Sequence, residues 1–180
     1  MPRLMHVNGP SRVGKSTVAR RYAAEHPGTL NVDIDLLVGT VDGWRDDFDA
    51  ALSAARELGA ARALAHLRNG GDVVLPQLIT SYDASPWAQE LAEEAGAEYI
   101  EFALLVSRDE HRRRLEAKRP DGEVDAWVQE TVSGSDGALL DKIIADLDDY
   151  LAGRPATIRI DTGAQTAEET YELLLRALRE

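Results

Sequence analysis

Cysteine is absent from the 180-residue chain, so disulfides, thiolate nucleophiles and cysteine-held zinc are excluded together. Aromatic residues make up only 6%, so aliphatic side chains must supply most of any core. No apolar run approaches the roughly 20 residues that span a bilayer. The amino-terminal residues show no apolar signal segment followed by a small-residue cleavage site. These absences point to a cytoplasmic protein with no membrane partner. Positive charge is also short: 20 Lys and Arg stand against 32 Asp and Glu, a formal charge of −12, which argues against a nucleic-acid partner. So acidic a chain can hold a polyanion only where its basic residues gather, and they gather at 12–21 and 108–119.

The length suits one domain, 1–180, with a proper core. Strand and helix signals alternate along it, the pattern of an α/β fold with a five-stranded parallel sheet flanked by helices in three layers. Strands are predicted over 4–8, 30–34, 72–76, 99–106 and 157–161. Helices are predicted over 15–25, 46–68, 86–94, 109–118, 139–151 and 167–179. "SRDE" (Ser107 to Glu110) and "TAEE" (Thr166 to Glu169) have capping-box spacing, Ser85 before Pro86 reads as a cap followed by a first-turn proline, and "NGG" from Asn69 reads as a helix stop. The segment 119–137, with glycine-bearing turns and little apolar content, reads as the mobile part of the chain.

From Gly9 the chain reads "GPSRVGKS", which fits G-x-x-x-x-G-K-[ST] between an apolar strand and a helix. Gly9 and Gly14 allow the backbone angles and close approach that turn successive N–H groups toward phosphate oxygens. Lys15 brings a point charge to the β- and γ-phosphates, and the Ser16 hydroxyl is placed to ligate Mg²⁺. The positive end of the helix adds to the same spot. Ser11, Arg12, Val13 and Thr17 complete the stretch expected to hold ATP.

This junction, in a chain of this length and element order, resembles the small P-loop kinases: shikimate and gluconate kinases, the chloramphenicol phosphotransferase family and, more distantly, adenylate kinase. The resemblance implies an ATP-dependent, magnesium-assisted transfer of a phosphoryl group to a small-molecule hydroxyl. In "NVDIDLL" it makes Asp35 the general base and Asp33 the metal-side carboxylate, with the two roles exchangeable and both residues near the acceptor. In "RDEHRRRLEAKRP" it implies a mobile lid, at about 108–137, whose Arg114 and Arg119, and less directly Arg112, fold over the nucleotide; Arg113 and Lys118 belong to the same basic cluster. A solvated helix held by surface pairs such as Arg112 with Glu116 reads the same way in sequence. The loop after the last strand, with Asp161, Thr162 and Gly163, is implied to lie against the adenine.

The third strand departs from many P-loop proteins by ending in Pro76 and Gln77 rather than an aspartate. Gln77 is either an acceptor-binding amide or a plain strand-end residue. Trp44 is a candidate apolar wall of the acceptor pocket, whereas Trp87 and Trp127 read as packing residues and the four histidines as structural or exposed. A nucleotide sensor without transfer and a toxin-like kinase of a nucleotide sugar stay open as alternatives. The absence of an "NKxD" stretch disfavours a guanine-reading switch. Monomer and homodimer are equally compatible with the sequence.

Overall fold

The computed structural model describes residues 1–117, 119–135 and 137–179. Among them five strands form one all-parallel sheet: β1 (Arg3–Asn8), β2 (Leu30–Asn31), β3 (Val73–Pro76), β4 (Glu98–Leu105) and β5 (Ile158–Asp161), in the order β2-β3-β1-β4-β5. Helices α1 (Lys15–Glu25) and α8 (Ala167–Ala177) cover one face. The other carries α3 (Phe48–Arg68), α4 (Trp87–Ala95) and α7 (Ala138–Ala152), while α2 (Ile34–Val38), α5 (Arg108–Ala117) and α6 (Glu123–Ser133) lie toward the site. Both faces are buried, which is why β1 and β3 read as unbroken apolar runs. Leu4 packs with Val32, Leu67 and Leu75, while Met5 and Val7 pack on the opposite face with Val18, Tyr22 and Tyr171. This is the three-layer architecture the sequence implied. No described helix is long and apolar enough to cross a membrane.

β1 is central, and the chain leaves it in one direction for β2 and later in the other for β4. Open α/β sheets bind ligands at such a reversal, beyond the carboxyl ends of the strands. The phosphate loop, Asp33, Gln77 and Thr162 all follow the carboxyl end of a strand.

Several expectations are corrected. The second strand stops at Asn31 instead of 34, and Asp33 becomes the N-cap residue of α2, whose first turn contains Asp35. The ladder shows why: Leu30 and Val32 donate to the carbonyls of Asp72 and Val74, and the next partner, Pro76, has no N–H to return. The segment 119–137 holds α6, which directs Val124, Trp127, Val128 and Val132 into apolar clusters. Ser85 does not cap α4; its hydroxyl donates to Glu90, and Pro86 takes the cap position. The Thr166–Glu169 capping box is complete. At Ser107 only half of one forms, because the Glu110 carboxylate is held by Arg113 and Arg114. The expected end of the α5 helix at Lys118 lies outside the described residues.

Helix α3 carries small residues, Ala51, Ala55, Gly59 and Ala63, every fourth position along its buried face. A Cβ on Gly59 would lie 2.4 Å from Ile34 Cδ1, so this face lets α3 press against α2 and fix the turn that carries Asp33 and Asp35.

Candidate active site

The loop from Gly9 to Ser16 bends through three left-handed residues, Gly9 (φ 137°), Arg12 (φ 67°) and Gly14 (φ 104°). Gly14 is the N-cap of α1, no side chain caps that end among the described residues, and its first turn holds no acid. The free amides and the positive helix end therefore stand available to an anion. Lys15 Nζ donates to the Pro10 carbonyl at 2.8 Å, across the mouth of the loop.

Asn8, which the sequence reading left aside, and His111 brace this loop. Asn8 is buried, and its Oδ1 accepts from Gly9 N at 2.8 Å and Ile79 N at 3.0 Å, tying the ends of β1 and β3 together. His111, fully buried on α5, donates from Nε2 to the Ser11 carbonyl at 2.7 Å. Burial lowers its pKa, Lys15 and Arg114 lower it further, and the bond to Ser11 opposes them. His111 is therefore structural, as expected, and belongs to the loop's support.

Ser11, Arg12, Gly14, Lys15, Ser16 and Thr17 line a cavity of about 780 Å³ together with Asp33, Asp35 and Gln77. Asp33 is buried, and its Oδ1 has no hydrogen-bond partner. An orphaned carboxylate oxygen facing the same cavity as the Ser16 hydroxyl suits a hard, partly hydrated cation. No three His, Cys, Asp or Glu side chains form a metal cage among the described residues, so Mg²⁺ held here would depend on phosphate oxygens for the rest of its shell. Asp35 opens into the cavity while its walls surround it. Burial raises its pKa, Asp33 and Asp125 push in the same direction, and Lys15 and Arg56 oppose the rise.

The rest of the cavity was not legible from motifs. Phe48, Leu52 and Arg56 project into it from one face of α3 at four-residue spacing, which is the signal that would have found them. Val128, Leu139 and Ile143 add apolar wall from α6 and α7. Trp44 does not line the cavity; it is buried behind Phe48, edge-on to that ring at 6.5 Å, and Phe48 in turn stacks on Trp127 at 4.2 Å. Gln77 faces the cavity, and its amide donates to the Leu78 carbonyl at 3.2 Å.

The basic residues separate. The Arg12 side chain leaves the phosphate loop, donating to the Arg119 carbonyl at 3.2 Å and to Gln129 Oε1 at 2.7 Å and pairing with Asp125 at 3.1 Å. Arg114 donates to Thr162 Oγ1 at 3.0 Å and to its carbonyl, and to Glu110 at 2.8 Å. Arg114 and Thr162 line a second cleft of about 330 Å³ with Val13, Gly14, Thr17 and Gln165. Arg112 instead faces Asp141 of α7 at 3.6 Å, and the Arg119 side chain is exposed and borders neither cavity. Asp161 turns back to accept from Gly163 N at 2.8 Å and does not line the second cleft. This arrangement thus does not bring Arg112, Arg119 and Asp161 to either cavity. Each is engaged elsewhere or points to solvent.

The architecture recurs in solved structures. The chain superposes with a TM-score of 0.60 on the tunicamycin resistance protein of Deinococcus radiodurans, at 18% identity over 99% of this chain and 96% of that one. A gluconokinase from Sinorhizobium meliloti gives 0.59 at 19% identity, with the same coverage. Shikimate kinase from Bacteroides thetaiotaomicron gives 0.55 at 17%, covering 99% of each chain. No curated protein matches the sequence. The sequence profile of the AAA domain family matches residues 4–134, from the first strand through α6. With that match spanning the phosphate loop, the aspartate pair and α6, the chain belongs to the AAA domain family.

Proposed function

We propose that the protein is an ATP-dependent phosphotransferase that moves the γ-phosphoryl group to a hydroxyl of a small molecule, with residues 1–180 acting as one catalytic domain. The observation that carries this reading is that Lys15, Ser16, Asp33 and Asp35 line one cavity, which continues past them between apolar walls with room for an acceptor. A nucleotide switch has no need of that second compartment. The names of the superposed kinases agree with the reading but do not choose the acceptor.

In this reading the amides from Gly9 to Thr17 and the Lys15 ammonium grip the β- and γ-phosphates and hold the γ-phosphorus in line with the acceptor oxygen. Ser16 and Asp33 would hold Mg²⁺, which would supply positive charge against the phosphates. Asp35 takes the acceptor's hydroxyl proton as the new O–P bond forms and the bridging O–P bond to the β-phosphate breaks, and ADP leaves. Its raised pKa brings the carboxylate closer in basicity to the proton it must take. The second cleft, between Gly14 and Thr162, accommodates the nucleoside, with Arg114 fixing the Thr162 wall.

The test uses the full chain with Mg-ATP, a broad panel of alcohols and detection of ADP and phosphorylated product. Asp35→Asn should retain ATP binding by calorimetry while losing about 10²–10⁴-fold in transfer. Lys15→Ala should lose roughly 10²–10³-fold in turnover. Normal transfer by Asp35→Asn would overturn the base assignment, and the absence of any ATP binding would overturn the whole reading.

A further inference from the structure

From the pairing of charges in the cavity we infer that the acceptor is an uncharged or cationic alcohol carrying an apolar body, and not a carboxylate or a phosphate ester. This rests on the phosphotransferase reading and deepens it. A site that recognises an anionic acceptor keeps a guanidinium or ammonium ready for it. In this cavity the cations of the acceptor side are engaged. Arg56 pairs with Asp83 at 3.0 Å, Lys142 with Asp146 at 2.6 Å, and Arg20 with Asp121 at 3.0 Å. Arg12 is turned away into its pair with Asp125, and Lys15 belongs to the phosphate loop.

The acids are in excess. Among the described residues seven aspartates line the cavity against five basic side chains, and the phosphates of a bound nucleotide would add to that negative field. Asp33 and Asp35 have roles at the metal and the proton. Asp49, in the first turn of α3, has no ion pair among the described residues and is exposed on the acceptor side. A second carboxylate entering this space would meet repulsion with no cation released to receive it. An ammonium group would meet Asp49.

The walls supply the other half of the inference. Phe48, Leu52, Val128, Leu139 and Ile143 enclose the compartment, and at its rim Leu36 is 61% and Tyr82 82% exposed. Large apolar side chains left this open beside a cavity mark surface that an apolar ligand covers. Lys142 sits 5.1 Å over the Tyr82 ring, which holds the ring at the entrance. A polyhydroxy acid would leave these walls without contacts. An alcohol with an aryl or aliphatic body fills them while presenting its hydroxyl to Asp35.

The test measures calorimetric binding of four glucosides to the full chain saturated with Mg²⁺ and a non-hydrolysable ATP analogue. They are phenyl glucoside, phenyl 2-amino-2-deoxyglucoside, phenyl glucuronide and methyl glucoside. The phenyl glucoside and its amino counterpart should bind at least tenfold tighter than the glucuronide and the methyl glucoside. Tyr82→Ala, at an exposed position, should weaken the phenyl compounds severalfold and leave the ATP analogue unaffected. Asp83→Asn, which releases Arg56, should raise glucuronide affinity severalfold. A glucuronide that binds wild type as tightly as the neutral glucoside, a methyl glucoside that matches the phenyl one, or no binding by any of the four overturns the inference. Failure of the ATP analogue to bind in the first titration is a separate outcome. It removes the phosphotransferase reading and this inference with it.

Discussion

Arg12, inside the phosphate loop, is ion-paired at 3.1 Å with Asp125 of α6, and its side chain is only 2% exposed. A loop built to surround an anion thus sends its own guanidinium outward, where Gln129 and the Arg119 carbonyl also accept from it. The pair links the conformation of residues 9–16 to the position of α6, whose Val128 is part of the acceptor wall. Arg12→Gln should destabilise the fold by about 2 kcal/mol, since the carboxylate it abandons is half-buried. Amide hydrogen exchange should accelerate over 123–133 more than over β1 and β4. Equal acceleration across the sheet would show that the pair supports the whole domain rather than α6.

Asp35 gives a pH dependence of defined sign. Enclosure raises its carboxyl above the ordinary value of 3.8, so the base we propose is protonated, and unable to take a proton, at a higher pH than an aspartate in open solvent. The acid limb of kcat/KM should therefore lie above pH 3.8 and vanish from the residual activity of Asp35→Asn. The linkage runs the same way: a carboxyl whose folded pKa is raised favours the folded state below its unfolded value and loses that contribution as pH rises through the folded one. Asp35 is open to solvent on the cavity side, which screens the effect, so Asp35→Asn should leave the melting temperature at neutral pH unchanged or slightly raised, even as it removes transfer. A lower melting temperature would place Asp35 among the structural carboxylates.

The elements that were legible in the sequence are those whose signals are local. The predicted limits of α1, 15–25, coincide with the helix because the glycine–lysine junction starts it and polar residues end it. Helix α6 was hidden. Its apolar positions 124, 127, 128 and 132 have helical spacing, but they are diluted by acids and flanked by Gly122 and Gly134, which read as turns. Helix α2 is not legible, and the second strand reads on to its first residue, Ile34, because the event that ends β2, the missing N–H of Pro76, lies on another strand. The acceptor side was opaque for the same reason: Arg56 is an unremarkable helix residue until folding brings Asp83 to it. Trp44 reads as the wall because it lies just beyond the aspartate pair, yet nothing local distinguishes the ring that faces the cavity from the one packed behind it.

Gly9 and Gly14 should respond differently to the same substitution. A Cβ on Gly9 would meet the Leu104 carbonyl oxygen at 2.4 Å, a backbone atom of β4 that has nowhere to move. At Gly14 no atom lies within 4 Å, and only the backbone angle of 104° resists. Gly9→Ala should cost on the order of 3 kcal/mol and abolish nucleotide binding. Gly14→Ala should cost about 1 kcal/mol. Chemical denaturation of both variants checks the order, and equal losses would contradict the close approach of the loop to β4.

Behind the phosphate loop, Glu101 of β4 is the hub of a buried polar cluster. Its Oε2 accepts from Arg154 Nε and from Thr157 Oγ1, both at 2.7 Å, and its Oε1 lies 3.2 Å from Asn8 Nδ2 and from His6 Nδ1. Burial alone would raise this carboxyl, but the bonds from His6, Thr157 and Arg154 prevail and hold it well below the ordinary 4.5. Because the folded pKa is the lower one, the cluster stabilises the fold above pH 4.5 and that contribution is lost as acid protonates the native carboxylate. Glu101→Ala leaves the half-buried Arg154 charge without its carboxylate and takes one of two acceptors from Asn8 Nδ2, which keeps the Ile79 carbonyl, and should cost about 3–5 kcal/mol at neutral pH. Urea titrations at several pH values test both claims. The variant should lose less stability than wild type between pH 5 and the acid limit, since the group responsible is gone. Parallel losses in the two proteins would show that other carboxylates govern acid unfolding, and that the cluster orders the loop without stabilising the fold.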